Sequence, residues 1–110
     1  MHFIEDDILL RIMLGENDMH GGQPLYEIIV QRARELDLAG ATVLRGIIGF
    51  GADSRMHSAK LLSLSSDLPI VIEIVDSKEN IDRLMPFLDR NLEEGIVTME
   101  AVHVHKYRHR

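Results

Sequence analysis

The sequence has no cysteine and no tryptophan, and aromatic residues make up 5% of it. Without cysteine there is no disulfide framework, no thiolate nucleophile and no cysteine-ligated zinc site. No run of about 18 apolar residues occurs, which excludes a membrane-spanning helix. Positive charge is also scarce, with 12 Lys and Arg against 18 Asp and Glu for a net charge of −6. An acidic body makes a poor nucleic-acid surface, because neutralising phosphates takes many clustered cations. The opening residues include His2, Glu5, Asp6 and Asp7, the wrong charge for a secretory leader. A cytoplasmic protein without membrane insertion is the expectation.

What is present suffices for one compact domain over residues 1–110. Hydrophobic residues make up 45% of the chain, enough for a core without covalent staples. The cations are unevenly placed. All 18 acids lie in residues 1–100, and the last ten residues carry Lys106, Arg108, Arg110 and three histidines with no acid. Such an end is either a solvated tail or a place to meet one small anion.

Residues 7–14 read as a strand, and 15–22 as a polar loop. Pro24 stands where the first turn of a helix tolerates it. Leu25, Ile28, Ile29, Ala33 and Leu36 then recur at helical spacing, and Gly40 is expected to stop that helix. Residues 41–44 read as a second strand, 46–58 as a glycine-rich loop, and 59–64 as a strand or a ribbon continuing it. A second cycle follows. Ile70, Ile72 and Ile74 alternate with Val71, Glu73 and Val75, then Ser77 offers an N-cap before the stripe Ile81, Leu84, Met85, Leu88, Leu92. Pro86 inside that stripe predicts a kink, Gly95 a C′ stop, and residues 97–107 a last strand.

Two βαβ units in tandem make a ferredoxin-like α+β pattern, an antiparallel sheet with both helices on one face. The other face should then be polar, yet Leu9, Met13, Val71 and Val75 sit on it beside Arg11 and Glu73, a pair suited to a structural salt bridge. A second copy of the chain is the economical cover for that face.

The loop holds Gly46, Gly49 and Gly51, expected to turn through positive φ and approach a ligand, with Arg45 and Arg55 as flanking charges. It reads as an anion nest or as a mobile surface hairpin. It matches neither the dinucleotide fingerprint nor the P-loop.

Gly40-Ala41-Thr42-Val43, then Gly49-Phe50-Gly51 and His57, resemble the start of the long loop in PII signal-transduction proteins, and more closely the PII-like branch of uncharacterised function. The resemblance spans nearly the whole chain. It implies a homotrimer that binds adenine nucleotides in the clefts between subunits, with residues 46–58 as an effector arm toward a protein target such as a transporter or metabolic enzyme. It places Thr42 near the adenine and Gly49, Phe50 and Gly51 at the base of the loop. It puts Gly95 where the phosphate loop stands, and residues 103–108, including His105, Lys106 and Arg108, where a basic segment reaches the phosphates. The departures are a short turn at Gly95 preceded by Glu93 and Glu94, which favours AMP or ADP over ATP, and a loop without tyrosine.

His103 and His105 share a strand face, but with His109 they make a poor metal site, since no carboxylate lies nearby in sequence. A metal-responsive trimer or a ligand-free scaffold is the alternative. Asp53, Ser54 and His57 superficially offer nucleophile and base, but a glycine-rich loop is a poor frame for a triad. The expectation is therefore a non-enzymatic regulator that requires no cofactor and takes a nucleotide as its effector.

Overall fold

The computed structural model describes residues 1–53, 55–59 and 67–109. Ser54, Arg110 and, apart from residue 59, the strand expected over 59–64 lie outside the described residues. Four strands form the main sheet: β1 (His2–Gly15), β4 (Thr42–Arg45), β7 (Pro69–Asp76) and β8 (Ile96–Tyr107). Their order is β4-β7-β1-β8, with every neighbouring pair antiparallel. Helices α1 (Leu25–Glu35) and α2 (Lys78–Asn91) complete the ferredoxin-like α+β arrangement expected from the tandem units. Two short ladders of two-residue strands remain: β2 (Met19–His20) pairs with β3 (Gln23–Pro24), and β5 (Ile48–Gly49) pairs with β6 (His57–Ser58).

The period-2 pattern of the strands decides which face is buried. Leu10, Ile12 and Leu14 of β1 and Ile70, Ile72 and Ile74 of β7 point toward the helices, where they meet Ile29 and Ala33 of α1 and Ile81, Leu84 and Leu88 of α2. Burying each such Leu or Ile contributes about 1.5–3 kcal/mol, so this layer supplies the core.

Helix ends follow local chemistry. Ser77 Oγ accepts the Asn80 N–H at 3.2 Å, as a capping serine should. The end of α1 differs from the expectation. The helix stops at Glu35, with Asp37 in the left-handed region at φ 61°, so Gly40 is not the stop. The N–H of Leu38 donates to Ala33 O and that of Asp37 to Arg34 O. That is a Schellman closure with buried Leu38 packed on the helix. α2 runs through Pro86 to Asn91, and Gly95 lies four residues beyond that end, ahead of β8. Gly95 is therefore not a C′ residue. Its φ of 133° and a hypothetical Cβ only 2.5 Å from the Met13 carbonyl oxygen show why glycine is needed there.

β1 and β8 outrun the rest of the sheet. Residues 8–15 of β1 pair with β7, but residues 2–13 pair with β8, leaving a two-stranded ribbon beyond the helices. Hydrogen bonds between Met1 and Arg108 close its tip. The molecule measures 47 × 28 × 24 Å.

On the open face, rows run straight across four strands. Leu44, Val71, Met13 and Ile96 form one row, and Thr42, Glu73, Arg11 and Thr98 form the next. The Arg11–Glu73 pair foreseen from the sequence is present, with Nη2 and Nε at 2.7 and 3.0 Å from one carboxylate oxygen.

Candidate functional site

At one end of the open face lies a cavity of about 580 Å³. Met13, Val71 and Ile96 line it from the apolar row, and residues 49–53 and His57 line it from the β5–β6 hairpin. Of the expected site residues, Gly49, Phe50, Gly51 and Gly95 all border this space.

The loop glycines reach it for a different reason from the one expected. Among the described residues, the glycines with positive φ are Gly21, Gly22 and Gly95, so Gly46, Gly49 and Gly51 form no left-handed nest. A Cβ at Gly46 or Gly49 would stand 2.7 or 3.0 Å from the Pro69 ring, and the Gly46 N–H donates to Pro69 O at 2.7 Å. These two glycines let the loop lie flat on the start of β7, which brings Phe50 to the cavity.

The cavity is acidic. Asp18, Asp53, Asp67 and Glu94 line it, and no Lys or Arg does so among the described residues. Three of these acids are held by backbone donors: Asp18 by Gly15 N–H at 3.1 Å, Asp67 by Asn17 N–H at 2.8 Å, Asp53 by Arg55 N–H at 2.9 Å. Arg45 stands outside, its guanidinium 2.5 Å from the Glu16 carboxylate. Thr42 lies in the polar row, one row from Leu44. Arg55 is exposed.

His105, Lys106 and Arg108 are placed elsewhere, along the ribbon. Ten residues of strand separate Ile96 from Lys106, about 34 Å at the rise of an antiparallel strand. Here His105 Nδ1 meets His2 Nε2 at 3.1 Å, and His2 stacks on Tyr107 at 4.6 Å. Lys106 Nζ lies 3.1 Å from Glu5 and 3.8 Å from Asp7, and Arg108 covers the Phe3 ring at 5.3 Å. The Lys106 ammonium, hydrogen-bonded to Glu5, holds the Glu5 carboxyl below the usual range. Burial pushes the Asp7 carboxyl up, and the adjacent Glu5 pushes it further. Within one chain the expected site residues thus fall in two places, one an acidic cavity, the other a ribbon where Lys106 and Arg108 lie beside Glu5 and Asp7.

A family model matches residues 7–104: DUF190, described as an uncharacterised ACR. The chain belongs to the DUF190 family. A UPF0166 protein of Aquifex aeolicus (strain VF5) is 40% identical over 96 residues, covering 87% of this chain and 90% of that relative. Another, from Methanocaldococcus jannaschii, is 34% identical over 99 residues, covering 89% and 91%. Among solved structures, this DUF190 chain is similar to CPII, a nitrogen regulatory PII-like protein from Thiomonas intermedia K12 bound to ADP, AMP and bicarbonate. The TM-score is 0.65 at 19% identity, over 93% of this chain and 91% of that one. The apo form of CPII gives 0.60 at 18%, over 97% and 100%. The DUF190 chain therefore has the PII-like fold, as the Gly-x-Thr-Val and Gly-Phe-Gly segments implied.

Of the four cavity acids, sequence reasoning singled out Asp53 and Glu94 but missed Asp18 and Asp67. Asp18 and Asp67 are 49 residues apart and meet only because each follows or precedes a strand end beside Gly15. Nothing in their spacing announces that. Glu5 and Asp7 carry a weaker signal, since two residues along a strand share one face.

Among the described residues, no group of three or more His, Asp or Glu is placed to hold a metal ion. No helix there is long and apolar enough to cross a membrane.

Proposed function

We propose that this DUF190 chain is a PII-like regulatory protein that binds an adenine nucleotide, AMP or ADP, between the subunits of a homotrimer. The observation that carries the proposal is the division of the site: the acidic cavity and the cationic segment sit at opposite ends of one chain. A nucleotide needs both. Its exocyclic amine and ribose hydroxyls are donors that carboxylates accept, as acidic residues do for ribose in other nucleotide sites. Its phosphate needs cations, and the cavity has none of its own among the described residues. Lys106 and Arg108 of a second copy supply them. The binding of ADP and AMP by CPII, which shares the fold, supports the choice of ligand.

Charge sets the phosphate count. Four carboxylates line the cavity, so each added phosphate charge is resisted, and a triphosphate is the least favoured. The signal leaves through residues 46–58. Ile47, Ile48, Phe50 and Met56 expose 73, 56, 66 and 52% of their surface, an apolar tip suited to a protein target. Ligand contact with Gly49, Phe50 and Gly51 biases which arrangement of that tip is populated.

The test is a thermal-shift panel of AMP, ADP, ATP and divalent metals on protein sized by light scattering. A ligand at 100 times its Kd adds about 2.7 kcal/mol. AMP or ADP should raise the melting temperature most, and Lys106→Ala with Arg108→Ala should weaken both. A trimer indifferent to every nucleotide, or unaltered affinity in the double variant, overturns the proposal.

A further inference from the structure

Asp7 is the least satisfied group in the described structure. Its side chain is 1% exposed, yet neither carboxylate oxygen has a hydrogen-bond partner. A buried, ionised carboxylate in that condition is costly, and such groups call for an explanation. Its neighbours provide one. Glu5 lies two residues away on the same strand face, and Lys106, opposite Phe3 on β8, reaches back nearer to Glu5 than to Asp7. Arg108 approaches Glu5 from beyond β8, and Asp76 faces Asp7 from the end of β7. Asp76 itself is saturated by Ala39, Ser77 and Asn80, so it has no need of a partner from Asp7.

We propose that Glu5 and Asp7 form a proton-sharing carboxyl pair with Lys106 as its counter-ion, and that this pair governs when Lys106 is free to take an anion. With one proton on Asp7, its hydroxyl donates to the Glu5 carboxylate, Lys106 balances the remaining charge, and one of the two buried oxygens gains a partner. When the proton leaves to solvent, two carboxylates hold one ammonium and Lys106 is locked. The directions of titration agree, with Asp7 raised and Glu5 lowered. The sign follows. A raised Asp7 keeps its proton as pH falls below its folded value, so anion capture is stronger in mild acid and weakens as pH rises through that value. The anion step rests on the reading of Lys106 as phosphate-facing; the carboxyl pair does not.

Two measurements on the full chain separate these. Carboxyl carbon NMR without ligand should show Asp7 titrating above ordinary aspartates, and Lys106→Met should move both Glu5 and Asp7. Independent, ordinary titrations overturn the pair. Inorganic sulfate stays a dianion from pH 5 to 8 and is the anion probe, followed by amide shifts at residues 104–108. Wild type should bind it more tightly at pH 5 than at pH 8, Glu5→Gln should bind several-fold more tightly at pH 8, and Asp7→Asn should show a smaller pH dependence than wild type, His2 and His105 of the ribbon supplying the rest. A profile identical in wild type and Asp7→Asn, or no sulfate response at all, overturns the linkage even where the carboxyl pair stands.

Discussion

At the scale of single residues, two buried acids behave oppositely, and the reason is their hydrogen bonds. Burial alone would raise Asp76, but donors from Ala39, Asn80 and Ser77, with Lys106 more distant, outweigh it and hold the carboxyl below its ordinary value of 3.8. A depressed folded value means that the stabilisation is complete above the ordinary value and is lost as pH falls through the folded one. Asp76→Ala should therefore cost about 1.5–3 kcal/mol in urea unfolding at neutral pH, the range for hydrogen bonds to a charged group. That cost should shrink in strong acid. Asp7, raised by burial, has the reverse sign: Asp7→Asn should be at least as stable as wild type at pH 7, and that advantage should vanish as pH falls. Gly95→Ala faces both a positive φ and a 2.5 Å clash with the Met13 carbonyl. It should cost about 1–3 kcal/mol by the same assay, as strained backbone positions do. The Arg11–Glu73 pair was legible because the two strands are neighbours in the ferredoxin-like order and both residues fall on the open face. Asp76 was not, since its partners come from a loop, a cap and a helix.

At the scale of elements, helix and strand identities were legible from periodicity, and their ends were less so. The start of α2 was readable because a serine cap is a local device. The end of α1 was not, because Asp37 took the left-handed position that glycine usually fills. Asp37→Gly should relieve that conformation and raise stability by up to about 1 kcal/mol, seen as a shifted urea midpoint with unchanged slope. Ser77→Ala should lose about 1 kcal/mol, the usual worth of an N-cap. β1 starts at His2 rather than residue 7, because residues 2–7 are held by pairing with β8 a hundred residues away, and no local signal reports that. The loop glycines were visible, but not that they would serve close packing on Pro69 rather than a left-handed turn.

At the scale of the molecule, the open face is the unfinished part. Its row Leu44–Val71–Met13–Ile96 crosses the sheet without a polar interruption, and Leu44 and Ile96 at its edges are 49 and 60% exposed. Apolar surface in so regular a strip is what association covers, at about 25 cal/mol per Å² buried. The same face ends in the acidic cavity, so one act of assembly can cover the strip and bring a second copy's Lys106 and Arg108 to the cavity. Light scattering should then report a trimer. Leu44→Asp should dissociate it without loss of far-UV circular dichroism, because Leu44 belongs neither to the helix-side core nor to the cavity lining. The dissociated variant should also lose nucleotide binding, although the substitution leaves the cavity lining, Lys106 and Arg108 untouched. A variant that dissociates yet still binds AMP would place a complete site within one chain, against the roughly 34 Å of strand between Ile96 and Lys106.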